Sequence, residues 1–419
     1  MLLRVSVGCV SAFLVSQAFA SQRLLQTFLV AKDLLHTACL SEISVGDGDI
    51  FCISDSFEKE AQSHIVSSTQ RLVYIEAENM PVGIEVLISK NNKHVAKISE
   101  KQMATLLSDK DIFVMEITFD NTLNPQQENL QIRTPAILKS EETETISIDP
   151  NQLRQNLEIL VGLRSYNTGT AELKISDRNS KSGKETTRAV LVDFFNKINM
   201  NVRTQCYNEN SRNPGCNIEA TLQGEEADGP IVVGAHYDSV TTGAADDNGS
   251  GTATVMEIAR QLAGRKLKKS VRFVAFDQEE LGLYGSAAYV KDVTSSPSTT
   301  PSAAFTMDMI GYDSNNDGAV HVIDCGRSES TFLSAVFFQQ VARLGTQLSN
   351  SSTCTNRTDH SSFWKMKIPA IAVSENFFGG DGNKCYHKAC DKIENMNFDY
   401  FSRIAQTSAN TVFALAQAK

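Results

Sequence analysis

The sequence contains no lysine- or arginine-rich block, no internal repeat and, beyond its first 20 residues, no apolar run long enough to cross a bilayer. A net charge of -10 with no clustered cations excludes the electrostatic footprint of a nucleic-acid binder. The missing repeat excludes solenoids and propellers. The only low-complexity stretch is "SSPSTTPS" at 295–302, so no long linker separates the parts of the chain. What remains is a globular composition, 41% hydrophobic and 21% charged over 419 residues. That is enough for one large α/β domain and something smaller.

The N-terminus, "MLLRVSVGCVSAFLVSQAFASQ", has Arg4, a short apolar stretch and the small-x-small end Ala18-Phe19-Ala20. It reads as a secretory signal peptide over 1–20, too short and too interrupted for a spanning helix. Ser6, three positions before Cys9, is not the leucine that a lipoprotein signal would carry. A secreted location, extracellular or periplasmic, is therefore expected, with no membrane attachment after cleavage and a monomeric protein. Losing Cys9 leaves an even set, Cys39, Cys52, Cys206, Cys216, Cys325, Cys354, Cys385 and Cys390, which suits an oxidising compartment. Close spacing favours Cys39–Cys52, Cys206–Cys216 and Cys385–Cys390, leaving Cys325 for Cys354. Cys385-x-His387-x-x-Cys390 can also be read as a zinc knuckle, but the disulfide is the expectation in a secreted chain.

Residues 21–150 contain strand-like runs such as "RLVYIEA", "IEVLISK" and "IFVMEITF" and end in the acidic stretch "KSEETETISIDPNQ". This smaller α+β region is expected to be either a removable pro-region or a permanent accessory domain. From 151 to 419 the pattern changes. "NLEILVGLRSYN" and "KETTRAVLVDFFNKINM" read as helices. The apolar runs "PIVVGAHYD", "VRFVAFDQEE", "AAFTMDMIGY", "AVHVIDCG" and "PAIAVSEN" then alternate with helical segments at 251–262 and 331–345 and a C-terminal helix from Phe398. The expected fold is α/β, three layers α/β/α around a doubly wound, mainly parallel mixed sheet.

In such sheets ligands bind beyond the carboxyl ends of the strands. His236 and Asp238, Glu279 and Glu280, and Asp308 each stand where an apolar run ends. Carboxylates crowded at one rim repel each other and are tolerated best beside a positive charge, which one or two divalent metals would supply. In His236-x-Asp238 the carboxylate can accept the second imidazole N–H, as metal-bound histidines require; alone, the triplet is as easily a solvated strand end. Asp246 and Asp247 can be read as helix caps ahead of Gly251, and Glu279-Glu280 as a charged turn. The alternative for that pair is one ligand and one free base. "DSNNDG" from Asp313 looks like half a calcium loop, but Asp324 rather than glutamate stands at position twelve and a strand follows, so a polar turn is the better reading. The Asn-x-Ser/Thr triplets at Asn248, Asn350 and Asn356 are at chance level.

The motifs "GAHYDSV", "GAADDNGSGTATVMEIAR", "FDQEELGLYGS", "TMDMIGY" and "NKCYHKACDKIEN" resemble, in order and spacing, those of the secreted co-catalytic zinc aminopeptidases that include bacterial leucyl aminopeptidases. The resemblance covers about residues 150–415 and leaves 21–150 outside. It implies a zinc-exopeptidase fold and two Zn²⁺ ions per chain. By position it implies His236, Asp247, Asp308, Glu280 and His387 as ligands, with Asp247 bridging and a cis peptide before Asn248. His236 and Asp308 would serve one ion, Glu280 and His387 the other. It further implies Glu279 as general base, Tyr386 as the hydroxyl that supports the oxyanion, and Asp238 as the residue that orients His236. The implied substrates are peptide or protein N-termini, with large apolar first residues preferred.

A glutaminyl cyclase would share the fold but use one zinc and fewer carboxylates. Another zinc amidohydrolase, such as an aminoacylase or carboxypeptidase, could share the two-metal chemistry, and a non-catalytic peptide-binding homologue would have lost ligands. Retention of all five positions and of Glu279 favours the peptidase. Phe363 and Trp364, or Phe377 and Phe378, are candidates for an apolar specificity pocket, though aromatic residues near strands are more often core.

Overall fold

The computed structural model describes residues 22–31, 41–46, 49–54, 62–67, 70–76, 80–90, 93–99, 102, 106, 113–116, 144–208, 214–226 and 229–418. The signal segment 1–20 and Cys39, with its expected bridge to Cys52, lie outside them. The chain divides into two compact units, Met1–Leu123 and Asn124–Lys419.

In the first unit, β1 (Gln22–Ala31), β2 (Ser41–Gly46), β3 (Asp49–Ser54) and β4 (Gln62–Ser67) form an antiparallel sheet in the order β2-β3-β1-β4. A second antiparallel sheet, β6-β7-β5-β8, contains β5 (Gln70–Glu76), β6 (Glu85–Lys90), β7 (Lys93–Ser99) and β8 (Phe113–Glu116). Gln102 and Leu106 are helical, and Leu106 buries its side chain with Ile75, Ala96 and Ile98.

The second unit begins, among described residues, at Glu144. Ile146 and Ile148, within the acidic stretch, are buried in its core, and the Ile146 N–H donates to Asn410 Oδ1 at 2.9 Å. Helix α1 (Pro150–Leu160) is capped by Asp149, whose carboxylate accepts from the Asn151 and Gln152 N–H groups. The helix read from the sequence as continuing to residue 167 stops at Leu160. Gly162 takes a positive φ of 74°, and a side chain there would collide with the Ile175 carbonyl. A short hairpin, β9 (Tyr166–Asn167) with β10 (Glu172–Leu173), follows, and then α2 (Lys181–Lys197), capped by Ser180.

An eight-stranded mixed sheet forms the centre, in the order β11-β12-β14-β13-β15-β18-β16-β17. Its strands are β11 (Asn201–Tyr207), β12 (Gly215–Leu222), β13 (Ile231–His236), β14 (Val271–Phe276), β15 (Ala303–Met307), β16 (Ala319–Ile323), β17 (Ser349–Asn350) and β18 (Ala370–Glu375). The four central strands β14, β13, β15 and β18 are parallel. β11 and β12 form an antiparallel edge, missed in the sequence, and β16 is antiparallel to β18. Both faces are covered, so the central strands are apolar almost throughout. Alternation sends Ile231, Val233, Ala235, Phe273, Ala275 and Phe305 into one core. That face packs against α1, α2, α3 (Gly251–Leu262), α5 (Thr331–Leu344) and α7 (Phe398–Gln417), while α4 (Tyr284–Val293) and α6 (His360–Lys365) belong to the other layer. Val232, Val274, Phe276, Ala304 and Ala372 face that second layer, where they pack with Tyr289, Phe363 and Trp364. Phe363 and Trp364 are therefore core residues rather than pocket walls.

Three disulfides are present among the described residues, Cys206–Cys216 across β11 and β12, Cys325–Cys354 and Cys385–Cys390. The last leaves no thiolate for a zinc knuckle around His387. Asp313 closes a polar turn by accepting from the Asp317 and Gly318 N–H groups.

Candidate metal centre

The parallel central strands end at one edge of the sheet, and sheet order rather than chain order makes neighbours of their ends. His236 is the last residue of β13, Glu279 and Glu280 follow β14 by one turn, and Asp308 follows β15 directly. Asp247 comes from the irregular segment Ala245–Ser250 ahead of α3, where the Asp247–Asn248 peptide is cis. Asn248 fastens that segment to the sheet, its amide donating to Met307 O at 2.9 Å and its carbonyl accepting from Gly251 N–H at 2.9 Å. His387 lies in the loop closed by Cys385–Cys390. Ala244, Gln278, Met309 and His387 all have φ between 46° and 58° although none is glycine. Such conformations cost about 1–3 kcal/mol each and gather at functional sites.

The side chains converge in two groups that share one residue, His236 with Asp247 and Asp308, and His387 with Asp247 and Glu280. His236 Nε2 is 3.4 Å from Asp247 Oδ1 and 3.3 Å from Asp308 Oδ1. His387 Nε2 is 3.1 Å from both Asp247 Oδ2 and Glu280 Oε2. The two oxygens of Asp247 thus face different histidines. These separations match the edge of a tetrahedron around an ion bound at ~2.0–2.1 Å, about 3.3 Å, and imidazole with carboxylate is a zinc donor set. Glu280 Oε1 is buried without a hydrogen-bond partner, as expected of a ligand rather than a structural acid. The residues present therefore fit two zinc ions.

Crowding of buried acids sets the protonation of the metal-free site. Burial, reinforced by Asp308 and Glu280 against the pull of His236, raises Glu279 well above the ordinary carboxylate range. Burial and the Asp247 charge push Glu280 up to about 7. Burial alone would depress the two histidines, but the surrounding carboxylates outweigh it, lifting His236 well above its usual value and His387 to about 10.

Asp238 does more than orient His236. Its Oδ1 lies 3.4 Å from His236 Nδ1, and its two oxygens accept the N–H groups of Glu279 at 3.2 Å and Glu280 at 3.3 Å. One carboxylate thus fixes residues on two strands. The Tyr386 ring stacks on His387 with centroids 3.7 Å apart and meets the Phe377 ring at 5.0 Å. Asp246 points elsewhere, accepting from Gly311 N–H at 2.8 Å and from the Asn383 amide at 2.9 Å.

Sequence reasoning missed Arg178, which is 1% exposed. Its guanidinium donates to the carbonyls of Tyr237, Leu160, Gly243 and Ala244 at 2.7–3.1 Å and so holds the chain on both sides of the donor loop. Burial pulls its pKa down while Asp391, Asp247, Asp238 and Glu280 push it back up, which identifies it as the internal counter-charge of the acidic rim. An isolated arginine in a loop carries no periodicity or spacing that could have revealed this. Arg178→Met strands four carbonyls and removes the cation, so it is expected to cost ~3–5 kcal/mol of stability. Urea unfolding of metal-free protein, followed by the fluorescence of Trp364, the single tryptophan, measures it.

Residues 217–412 match the model of Peptidase family M28. Over these residues the chain is similar to Peptidase family M28. The chain is 32% identical over 219 residues to leupeptin-inactivating enzyme 1 of Streptomyces exfoliatus, covering 48% of each chain. It is 30% identical over 206 residues to leucine aminopeptidase 2 of Trichophyton rubrum, covering 43% of this chain and 41% of that one. The chain thus spans about half the length of these curated relatives or less. The fold is similar to that of the LapA aminopeptidase of Legionella pneumophila, with a TM-score of 0.60, 20% identity, and coverage of 83% of this chain and 98% of that one.

Proposed function

We propose that this protein is a secreted, two-zinc aminopeptidase that hydrolyses the first peptide bond of peptides and proteins. The observation that carries the reading is the division of Asp247 between two histidine-carboxylate groups, with the buried Glu279 Oε2 3.9 Å from His236 Nε2. His236, Asp247 and Asp308 would hold one ion, and Asp247, Glu280 and His387 the other. When bound, the zinc ions would polarise the scissile carbonyl, lower the pKa of the attacking water and take the free α-amine of the substrate. Glu279 takes the proton from that water and delivers it to the leaving amine. Asp238 holds Glu279 and Glu280 by their N–H groups while orienting His236, and Tyr386 donates its hydroxyl to the developing oxyanion.

Secretion is supported by the leader sequence and the three disulfides. No helix among the described residues is long and apolar enough to cross a membrane. Phe377, whose ring meets that of Tyr386, supports a preference for large apolar first residues. The region expected at 21–150 is assigned as a pro-region only for the part that precedes Glu144, because Ile146 and Ile148 pack in the core of the second unit and Asp149 caps its first helix.

The test is release of the N-terminal residue from a peptide run beside its N-acetylated twin, before and after chelation and zinc restoration. Cleavage of the free-amine peptide alone, lost on chelation and recovered with zinc, is expected. Cleavage of both peptides would point to a deacylase or endopeptidase. Cyclisation of an N-terminal glutamine without residue release would point to a glutaminyl cyclase.

A further inference from the structure

We infer that Asp391 is a positioning residue that aims the shared carboxylate of Asp247 and thereby sets the zinc affinity of both donor groups. The inference rests on the two-zinc reading above. Asp391 is 1% exposed and one residue beyond Cys390, on the loop that carries His387. Its Oδ2 accepts the N–H groups of Asp247 at 3.0 Å and Asp246 at 3.2 Å. Its Oδ1 accepts from Asp246 N–H at 3.1 Å and from the Asn383 amide at 3.4 Å, and its carbonyl accepts from Ala245 N–H at 3.3 Å. Its own N–H returns to Lys388 O at 3.0 Å. One residue therefore ties the loop of His387 to the segment of Asp247.

That segment needs an outside anchor. Asp247 has φ -102° and ψ 96°, outside the helical region, so no regular helical ladder sets the direction of its N–H. Asn248 holds the far side through Met307 and Gly251, and Asp391 holds the near side. Between these anchors the Asp247 side chain must present one oxygen to each histidine at 3.1–3.4 Å, where a small rotation spoils one group or both. The polar groups that meet the Asp391 carboxylate are N–H donors. Each of its two oxygens accepts twice, whereas an amide would turn its NH₂ against a donor.

The test uses the full chain with Asp391→Asn, reading zinc affinity by competition with a chromophoric chelator and the visible absorption spectrum of the cobalt(II)-loaded protein. A fall of ~10–100-fold in zinc affinity, the size typical when a partner of a metal ligand is lost, is expected together with altered cobalt bands. If Asp391→Asn does not fold, Asp391→Glu decides instead. It keeps the charge and both acceptors one methylene further out, and is expected to shift affinity and bands in the same direction by less. Wild-type affinity and bands in the folded variant, even with easier urea unfolding, would overturn the inference and leave a merely structural role. Wild-type protein that takes up no zinc would overturn the two-zinc reading itself, and this inference with it.

Discussion

Glu279→Gln is expected to lower kcat/KM for a peptide with a free N-terminus by ~10²–10⁴-fold, the usual contribution of a general base, with KM and zinc content little changed. Glutamine keeps the shape and the hydrogen bond from Glu279 N–H to Asp238 Oδ1 but cannot take a proton. Glu279 stands outside both donor groups, its nearest approach to His236 being 3.9 Å, so its carboxylate is free for proton transfer. The substitution also removes one buried acid from a crowded rim, so the metal-free variant should unfold no more easily than wild type. Steady-state kinetics with zinc analysis on the same preparation checks the expectation. A loss below tenfold, or a loss that parallels zinc content, would remove Glu279 from the role of base.

Asp247→Ala is expected to abolish retention of both zinc ions, because it deletes a donor from each group at once. Asp308→Ala and Glu280→Ala remove a donor from one group only and should each leave the other ion bound. For Asp247→Ala the affinity should fall by more than the ~10–100-fold typical of partners outside the ligand set, and activity should drop to background. Zinc per chain after dialysis against a weak chelator separates the variants. Equal zinc content in Asp247→Ala and Glu280→Ala would argue against a shared carboxylate. Among the described residues the spacing of donors, 3.1–3.4 Å along four histidine–carboxylate edges, is what makes this contrast sharp.

Parts of this architecture were legible in the chain because burial leaves a one-dimensional trace. The run "IVVGAH" reads as a covered strand since a parallel strand buried on both faces admits few polar residues, and β13 occupies it. Helix α3 begins and ends where the pattern places it, at Gly251 and Leu262. Short spacing marked Cys206 with Cys216 and Cys385 with Cys390 as pairs, and both are joined. Elsewhere the trace misled or was silent. The helix ending at Leu160 was read too long because the apolar spacing continues past Gly162, whose positive φ breaks it. The edge strands β11 and β12 went unnoticed, β11 being half exposed and mixed in polarity.

By itself the sequence determined which residues stand at strand ends, since an apolar run buried in a sheet can carry imidazole and carboxylate only where it stops. It also determined the family resemblance, carried by motifs that are local. Only the tertiary structure decided which oxygens converge. β14 lies beside β13 and β15 on its other side, so His236 meets Asp308 across the sheet and Glu280 comes to the same edge, where Asp247 links it to them. The resemblance had already implied Asp247 rather than Asp246, and in the fold Gly311 and Asn383 occupy the carboxylate of Asp246 while Asp247 joins both donor groups. The fold recruited Arg178 and Asp391 as well, whose hydrogen bonds reach residues 59–66 and 144–145 positions away. A lone polar side chain acquires such a role only when folding closes those distances, and no local pattern records it.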